Sequence, residues 1–153
     1  EVYRFTDLLK DTVVLACSAT HRLARRGDVR LEDCVAYPWI VAPPKSRMRL
    51  EIESRMRQSG CAIPEMVGGL SLEFAIDMIS DGHHICMLPG SVANTLAGRG
   101  RLHVLPVPLM LVTPPLAIIW RRERSSVRQI REFTASLAKV LGATTDGQGD
   151  RPA

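Results

Sequence analysis

The amino-acid sequence predicts an α/β domain with a largely parallel sheet, and three observations carry that prediction. Short apolar, β-rich runs at residues 12–17, 39–42, 85–88 and 116–120 alternate with stretches of helical spacing. The run at 85–88 is continuously apolar, as an interior strand covered on both faces should be. Ser46, Ser71 and Ser125 or Ser126 stand just before the helical stretches, where a hydroxyl can hold an orphan N–H group of the first turn.

In chain order, residues 1–11 read as extended or loop-like, and residues 12–17 as a strand with a polar exit at Ser18. His21 to Asp28 reads as a loop turning at Gly27-Asp28. Leu31, Cys34 and Val35 mark a short helix that Pro38 ends. After the strand at 39–42, Pro43-Pro44-Lys45-Ser46 leads into a helix to about Gln58, with Met48, Ile52 and Met56 on one face. A short strand at 65–67 feeds the stretch 68–90, around which the chain is organised.

That stretch reads as a Gly68-Gly69 loop, a helix capped by Ser71, a stop at Asp81-Gly82, a strand at 85–88 and a Pro89-Gly90 turn. It sets a helix start, with outward-pointing donors, near the end of a strand. Small polar ligands of α/β proteins are commonly held there. A further helix at 92–97, strand material at 102–105 and a strand at 116–120 follow. The last helix carries a stripe of Val127, Ile130, Phe133, Leu137, Val140 and Leu141, and residues from Gly142 onward carry no packing signal.

Composition excludes several classes. Hydrophobic residues make up 46% and charged residues 24% of the 153, so a packed core is expected rather than disorder. The 20 basic against 16 acidic residues leave a charge of +4. The arginine groups at 22–26, 47–57 and 121–124 lack interleaved aromatics, so they read as solvated faces rather than a nucleic-acid groove. The apolar region from Leu102 to Trp120 is interrupted by His103 and four prolines, which argues against a membrane helix. Cys17, Cys34, Cys61 and Cys86 have no metal-ligand spacing, and they read as reduced thiols of a cytoplasmic protein. His83-His84 diverge at a corner without a further ligand nearby, while His21 and His103 look solitary. Asp77 and Asp81 read as a solvated pair on one helix face. No nucleophile elbow or phosphate-cradling glycine loop is present. No catalysis, metal or cofactor is expected.

The order of motifs then becomes recognisable. His-x-Leu-Ala-Arg-Arg at 21–26 leads to a short acidic helix, Tyr-Pro-Trp-Ile at 37–40 and a Pro-Pro-x-Ser helix start at 43–46. A Ser-Leu helix ends in Gly before a strand closing in Leu-Pro, and a Gly-x-Leu strand and a Trp-Arg-Arg segment precede the final helix. Over about residues 8–141 this resembles the effector-binding domain of LysR-type transcriptional regulators. Two departures are Arg22, where the family usually has Pro, and His83, where a Gly-x-Gly corner is usual.

The resemblance implies an α/β fold of the type II periplasmic-binding-protein kind, with lobe two complete and lobe one partial. Residues 1–17 would be a remnant of lobe one with the crossover strand, and 18–105 lobe two. Residues 106–141 would return to lobe one, and 142–153 would be a disordered tail. The implied function is sensing a small organic effector, carboxylate-bearing, between the lobes. The implied assembly is a homodimer or homotetramer that meets DNA through a separate amino-terminal helix-turn-helix. Transferred position by position, the effector contacts would be Ser18, Lys45, Ser46, Gly69, Leu70 and Ser71. Leu70 stands where relatives often have a hydroxyl, hinting at a partly apolar effector. The alternatives are a free-standing periplasmic solute-binding protein and a small enzyme on the same fold.

Overall fold

In the computed structural model, which describes residues 2–68, 71–109, 111, 113–124 and 128–141, the strands are β1 (Tyr3–Leu9), β2 (Val13–Cys17), β3 (Trp39–Val41), β4 (Met66–Gly68), β5 (Ile85–Pro89), β6 (His103–Val104) and β7 (Leu116–Arg121). The helices are α1 (Leu31–Cys34), α2 (Arg47–Gln58), α3 (Leu72–Ile79), α4 (Gly90–Gly98) and α5 (Arg128–Val140), with a 3-10 helix at Arg22–Arg25. The chain divides into two units. Unit 1 comprises the described residues of Glu1–Asp11 and Thr113–Ala153, and unit 2 those of Thr12–Val112. No helix among the described residues is long and apolar enough to cross a membrane.

Unit 2 is built on a five-stranded sheet in the order β4-β3-β5-β2-β6. β3 runs parallel to β4 and β5, whereas β2 is antiparallel to both β5 and β6. The reversal follows from register. Cys17 and Trp39 both stand level with Ile85, so the chain leaves β2 and enters β3 at the same end of the sheet. The sheet is therefore parallel except for β2.

Alternation along the strands makes two cores, one on each face. Leu15, Cys17, Trp39, Val41, Ile85 and Met87 share one core with Ile52 and Met56 of α2. Ala16, Ile40, Cys86 and Leu88 share the other with Ala75 and Ile79 of α3 and Ala93 and Leu96 of α4. Every strand residue of β3 is buried, which is why that run carries no polar alternation.

Unit 1 contains the antiparallel pair β1 and β7, in register from Tyr3↔Arg121 to Leu9↔Leu116 with an irregularity between Asp7 and Leu9. Thr113 Oγ1 donates to the Asp11 carbonyl at 2.6 Å.

Several expectations are corrected. Pro89-Gly90 is no turn: Pro89 ends β5 and Gly90 begins α4, with the Gly90 N–H donating to the Thr12 carbonyl at 2.8 Å. Asp81 lies beyond α3, so it shares no helix face with Asp77. Phe133 and Val140 of the final helix are exposed rather than part of a covered stripe. Arg49 is no solvated residue, since its side chain is only 15% exposed and its Nε pairs with Glu53. The division into units falls at 11/12 and 112/113, because β2 is hydrogen-bonded into the sheet of unit 2. Ser125, Ser126 and the tail at 142–153 lie outside the described residues.

Candidate functional site

β3, β4 and β5 point the same way, so the chain leaves all three at one edge of the sheet and enters α2, α3 and α4 there. This edge, at the carboxyl ends of parallel strands, is where open α/β sheets bind ligands. A pocket of about 430 Å³ opens at it. Ile40, Cys86 and Leu88 of the sheet and Ala75 of α3 line it. Pro43, Met48, Leu72 and Val92 come from the beginnings of the three helices. Ser71 supplies the one hydroxyl among the described lining side chains.

Both serine caps form as the sequence requires. Ser46 Oγ accepts from the Arg49 N–H at 3.2 Å, and Ser71 Oγ from the Phe74 N–H at 3.1 Å. Each satisfies one orphan donor of its first turn. α3 carries Glu73 in its first turn, a charge that offsets its own helix dipole. α2 carries no acid there and instead has Arg47 and Arg49. Cations at the positive end of a helix are electrostatically unfavourable unless an anion joins them. Arg47 has Glu51 at 4.0 Å and Arg49 has Glu53, but Arg49 Nη1 is buried with no hydrogen-bond partner among the described residues.

Lys45 adds a second locally unfavourable choice. The Ser46 N–H donates to the Pro43 carbonyl at 3.2 Å, closing a turn with Pro44 second and Lys45 third. Lys45 sits at φ 66°, the left-handed value that this turn ordinarily gives to glycine. It forms no ion pair among the described residues. The loop abuts the end of β4, where a Cβ on Gly68 would stand 3.3 Å from Pro44 Cδ. Gly68→Val is expected to push the two loops apart and cost about 1–3 kcal/mol, read as a lower urea midpoint. An unchanged midpoint would mean that the close approach is not maintained in solution.

The predicted contacts are thus only partly brought together. Ser71 lines the pocket, while Lys45 and Ser46 lie between Pro43 and Met48, which line it. Gly69 and Leu70 lie outside the described residues. Ser18 is elsewhere. It follows Cys17, which pairs with Ile85 at the start of β5, so it stands at the opposite edge of the sheet. Its hydroxyl is 2.9 Å from Thr20 Oγ1, and both serve the local turn. Sequence reasoning missed Met48 and Val92, and Pro89, which also lines the pocket. The available signal was that each lies at the end of a parallel strand or within the first turn of the helix that follows.

The opposite edge gathers all four histidines, including the two that look solitary in sequence. His21 is 1% exposed, and its Nδ1 accepts from the Leu23 N–H at 3.0 Å. The His21 ring lies 4.5 Å from the Tyr37 ring, and Tyr37 lies 6.1 Å from His83. Asp81 accepts from the His83 N–H at 2.8 Å and pairs with His84 Nδ1 at 2.9 Å. His103 pairs with Cys17 across β6 and β2. Burial raises the Asp81 pKa, but the His83 N–H and the His84 ring outweigh it and hold the group below the usual carboxylate range. No group of three or more His, Cys, Asp or Glu side chains among the described residues is placed to hold a metal ion.

Burial pushes the thiol of Cys17 up to about 11 and those of Cys34 and Cys86 up to about 12, so all three stay protonated at neutral pH and are poor nucleophiles. The described pocket lining is apolar, and α2 begins beside it without an acid in its first turn. None of the described residues that line the pocket is a carboxylate, a histidine or a lysine.

The family model described as the LysR substrate binding domain matches residues 2–142. The HTH-type transcriptional regulator GbpR of Azospirillum brasilense is 20% identical over 137 residues, 88% of this chain and 40% of that protein. The chain spans less than half the length of the curated relatives it matches. Among solved structures, HinK, a LysR family transcriptional regulator from Pseudomonas aeruginosa, superposes with a TM-score of 0.73 at 17% identity, covering 92% of this chain and 48% of that one. The regulatory domain of CcmR from Synechocystis PCC6803, solved in complex with 2-PG, gives 0.69 at 16% identity over 92% and 68%.

Proposed function

The chain belongs to the LysR substrate binding domain family, and from that premise we propose that it is the effector-sensing part of a transcription regulator whose ligand is a small organic carboxylate held at the pocket of unit 2. The observation that carries this reading is the left-handed Lys45 at the head of α2, among cations on the positive end of that helix. Strain and local charge conflict of this kind concentrate where a ligand repays them. The relative CcmR was solved with 2-PG, a further precedent for small-molecule recognition in the family.

The same reading makes the full protein a cytoplasmic homodimer or homotetramer that meets DNA through a helix-turn-helix part. Ligand binding would shift its equilibrium between DNA-binding arrangements by the difference in affinity for each. No catalytic step is assigned.

Lys45→Gly separates function from stability. Glycine relieves the left-handed strain, so the melting temperature should rise, by an amount equivalent to about 1 kcal/mol. Losing the cation should weaken carboxylate binding by about tenfold, as loss of one charge-assisted contact does. Titration calorimetry with benzoate against the neutral benzamide provides the check. Equal affinity for acid and amide, or a Lys45→Gly chain that binds benzoate as well as the parent, would sink the carboxylate reading.

A further inference from the structure

We propose that unit 2 carries a second small-molecule site, for an α-amino acid with an apolar side chain, at the end of α2 farthest from the pocket described above. The two share no described lining residue.

A cavity of about 420 Å³ opens between the beginning of α1, the last turn of α2 and the extended segment 106–109. Every described residue that lines it belongs to unit 2. Extended chain turns successive side chains to opposite sides, and two such stretches build this site. In the first, Asp28 and Arg30 are exposed while Val29 between them is buried. In the second, Pro106 and Pro108 are exposed while Val107 and Leu109 are buried. The Val107 N–H is already donated to the Leu105 carbonyl at 2.8 Å, and a proline has none to offer. That wall therefore presents rings and aliphatic carbon. Val29, Val107 and Leu109 make an apolar floor, and the charged groups stand at the mouth.

The mouth carries both signs. Arg30 and Arg55 bring guanidinium groups, and Asp28 and Glu32 bring carboxylates. None of the four forms an ion pair among the described residues, whereas Arg26 pairs with Asp33 at 2.9 Å and Arg47 with Glu51 at 4.0 Å. Glu32 accepts from the Cys61 thiol at 3.7 Å, a weak donor that leaves its charge unmatched. Two cations and two anions around one mouth, not neutralising one another, suit a ligand that carries one charge of each sign. An α-amino acid does so at neutral pH. Its carboxylate meets a guanidinium fork, its ammonium meets a carboxylate, and its side chain rests on the floor.

The test uses the 153-residue chain with carbon-13-labelled valine and leucine methyls, read at Val29, Val107 and Leu109. L-leucine should shift these signals saturably, with a dissociation constant on the order of 1 mM, because water screens charges at an open mouth. N-acetyl-L-leucine lacks the ammonium, L-leucinamide lacks the carboxylate, and glycine lacks the apolar body. Each should bind at least about threefold more weakly than L-leucine. Arg30→Gln combined with Arg55→Gln should weaken L-leucine by about three- to tenfold and leave L-leucinamide unchanged. Asp28→Asn combined with Glu32→Gln should weaken L-leucine to a similar degree and leave N-acetyl-L-leucine unchanged. All four side chains are exposed or half-buried, so both variants should fold. Saturating benzoate should not alter the affinity for L-leucine.

N-acetyl-L-leucine or L-leucinamide binding as tightly as L-leucine would overturn the pairing of both charges, and glycine binding as tightly would overturn the role of the floor. Unchanged L-leucine affinity in both double variants, or displacement of L-leucine by benzoate, would place the amino acid elsewhere. No saturable shift at any of the three residues would remove the site. Benzoate binding and its weakening in Lys45→Gly are measured separately, so the two sites stand or fall apart.

Discussion

Trp39→Ala is expected to destabilise unit 2 by about 3–5 kcal/mol, the cost of emptying a large buried aromatic site. Trp39 is 0% exposed and stands in β3 between β4 and β5. Its backbone N–H donates to the Glu65 carbonyl at 2.7 Å, and its indole N–H to the Cys34 carbonyl at 2.9 Å. Alanine leaves a cavity in the core shared with Ile52 and Met56, and removes one of the two donors to the Cys34 carbonyl, leaving the Tyr37 N–H at 3.2 Å. For a unit of this size the loss lowers the melting temperature by more than about 12 °C. Trp39→Phe keeps most of the ring and loses only the donor, so its cost should be about 1–2 kcal/mol. Because β3 runs directly into the pocket-lining Ala42 and Pro43, benzoate binding should disappear with the fold in the alanine variant. Denaturant titration of the three proteins gives the ranking. A loss under about 1 kcal/mol for Trp39→Ala would contradict a fully packed β3.

What was legible in the sequence is what is decided locally. Ser46 and Ser71 cap their helices through contacts three residues away, so a window of five residues contains the whole interaction. The strand at Ile85 was marked by its own unbroken apolarity. What was not legible depends on partners far along the chain. Nothing in the run at 12–17 states that β2 will oppose β5. That direction alone sends Ser18 to the edge away from the pocket. His21 and His103 are far apart in the chain, and only the order of strands joins them to His83 and His84. Pro89-Gly90 carries the dipeptide signature of a turn, yet the buried Gly90 bonds to Thr12 and opens a helix instead. The strain at Lys45 was hidden for a different reason. A lysine in a turn gives no hint that it occupies the position glycine prefers.

Acid is expected to destabilise unit 2 chiefly through His21, and the sign follows from its surroundings. Burial lowers the His21 pKa below 6.5. The nearby His83 carbonyl favours the charged ring, the His83 ring opposes it, and Asp81 favours it again, with burial the largest of these effects. Nε2 is buried without a well-aligned partner among the described residues, so a second proton on this ring is poorly accommodated. In the unfolded chain His21 titrates near its ordinary value, about 6.5. Below that pH the unfolded state takes up a proton that the folded state resists. Stability therefore falls as pH drops through 6.5, and levels off once the folded pKa is also passed. Asp81 acts in a separate window. Its depressed pKa contributes stability above the ordinary carboxylate range, lost only as pH falls through the folded value. Urea unfolding at pH 7.5, 6.5 and 5.5 should show the first loss, and His21→Asn should abolish that slope. The asparagine can still accept from the Leu23 N–H, although losing the ring against Tyr37 costs about 1–2 kcal/mol at every pH. Equal slopes in parent and variant would remove His21 as the source. Because the histidines stand at the sheet edge away from the pocket, and among its described lining residues the Cys86 thiol is the one titratable group, acid should loosen the fold without touching recognition. Benzoate affinity, corrected for the fraction folded, should therefore stay level from pH 7.5 to 5.5.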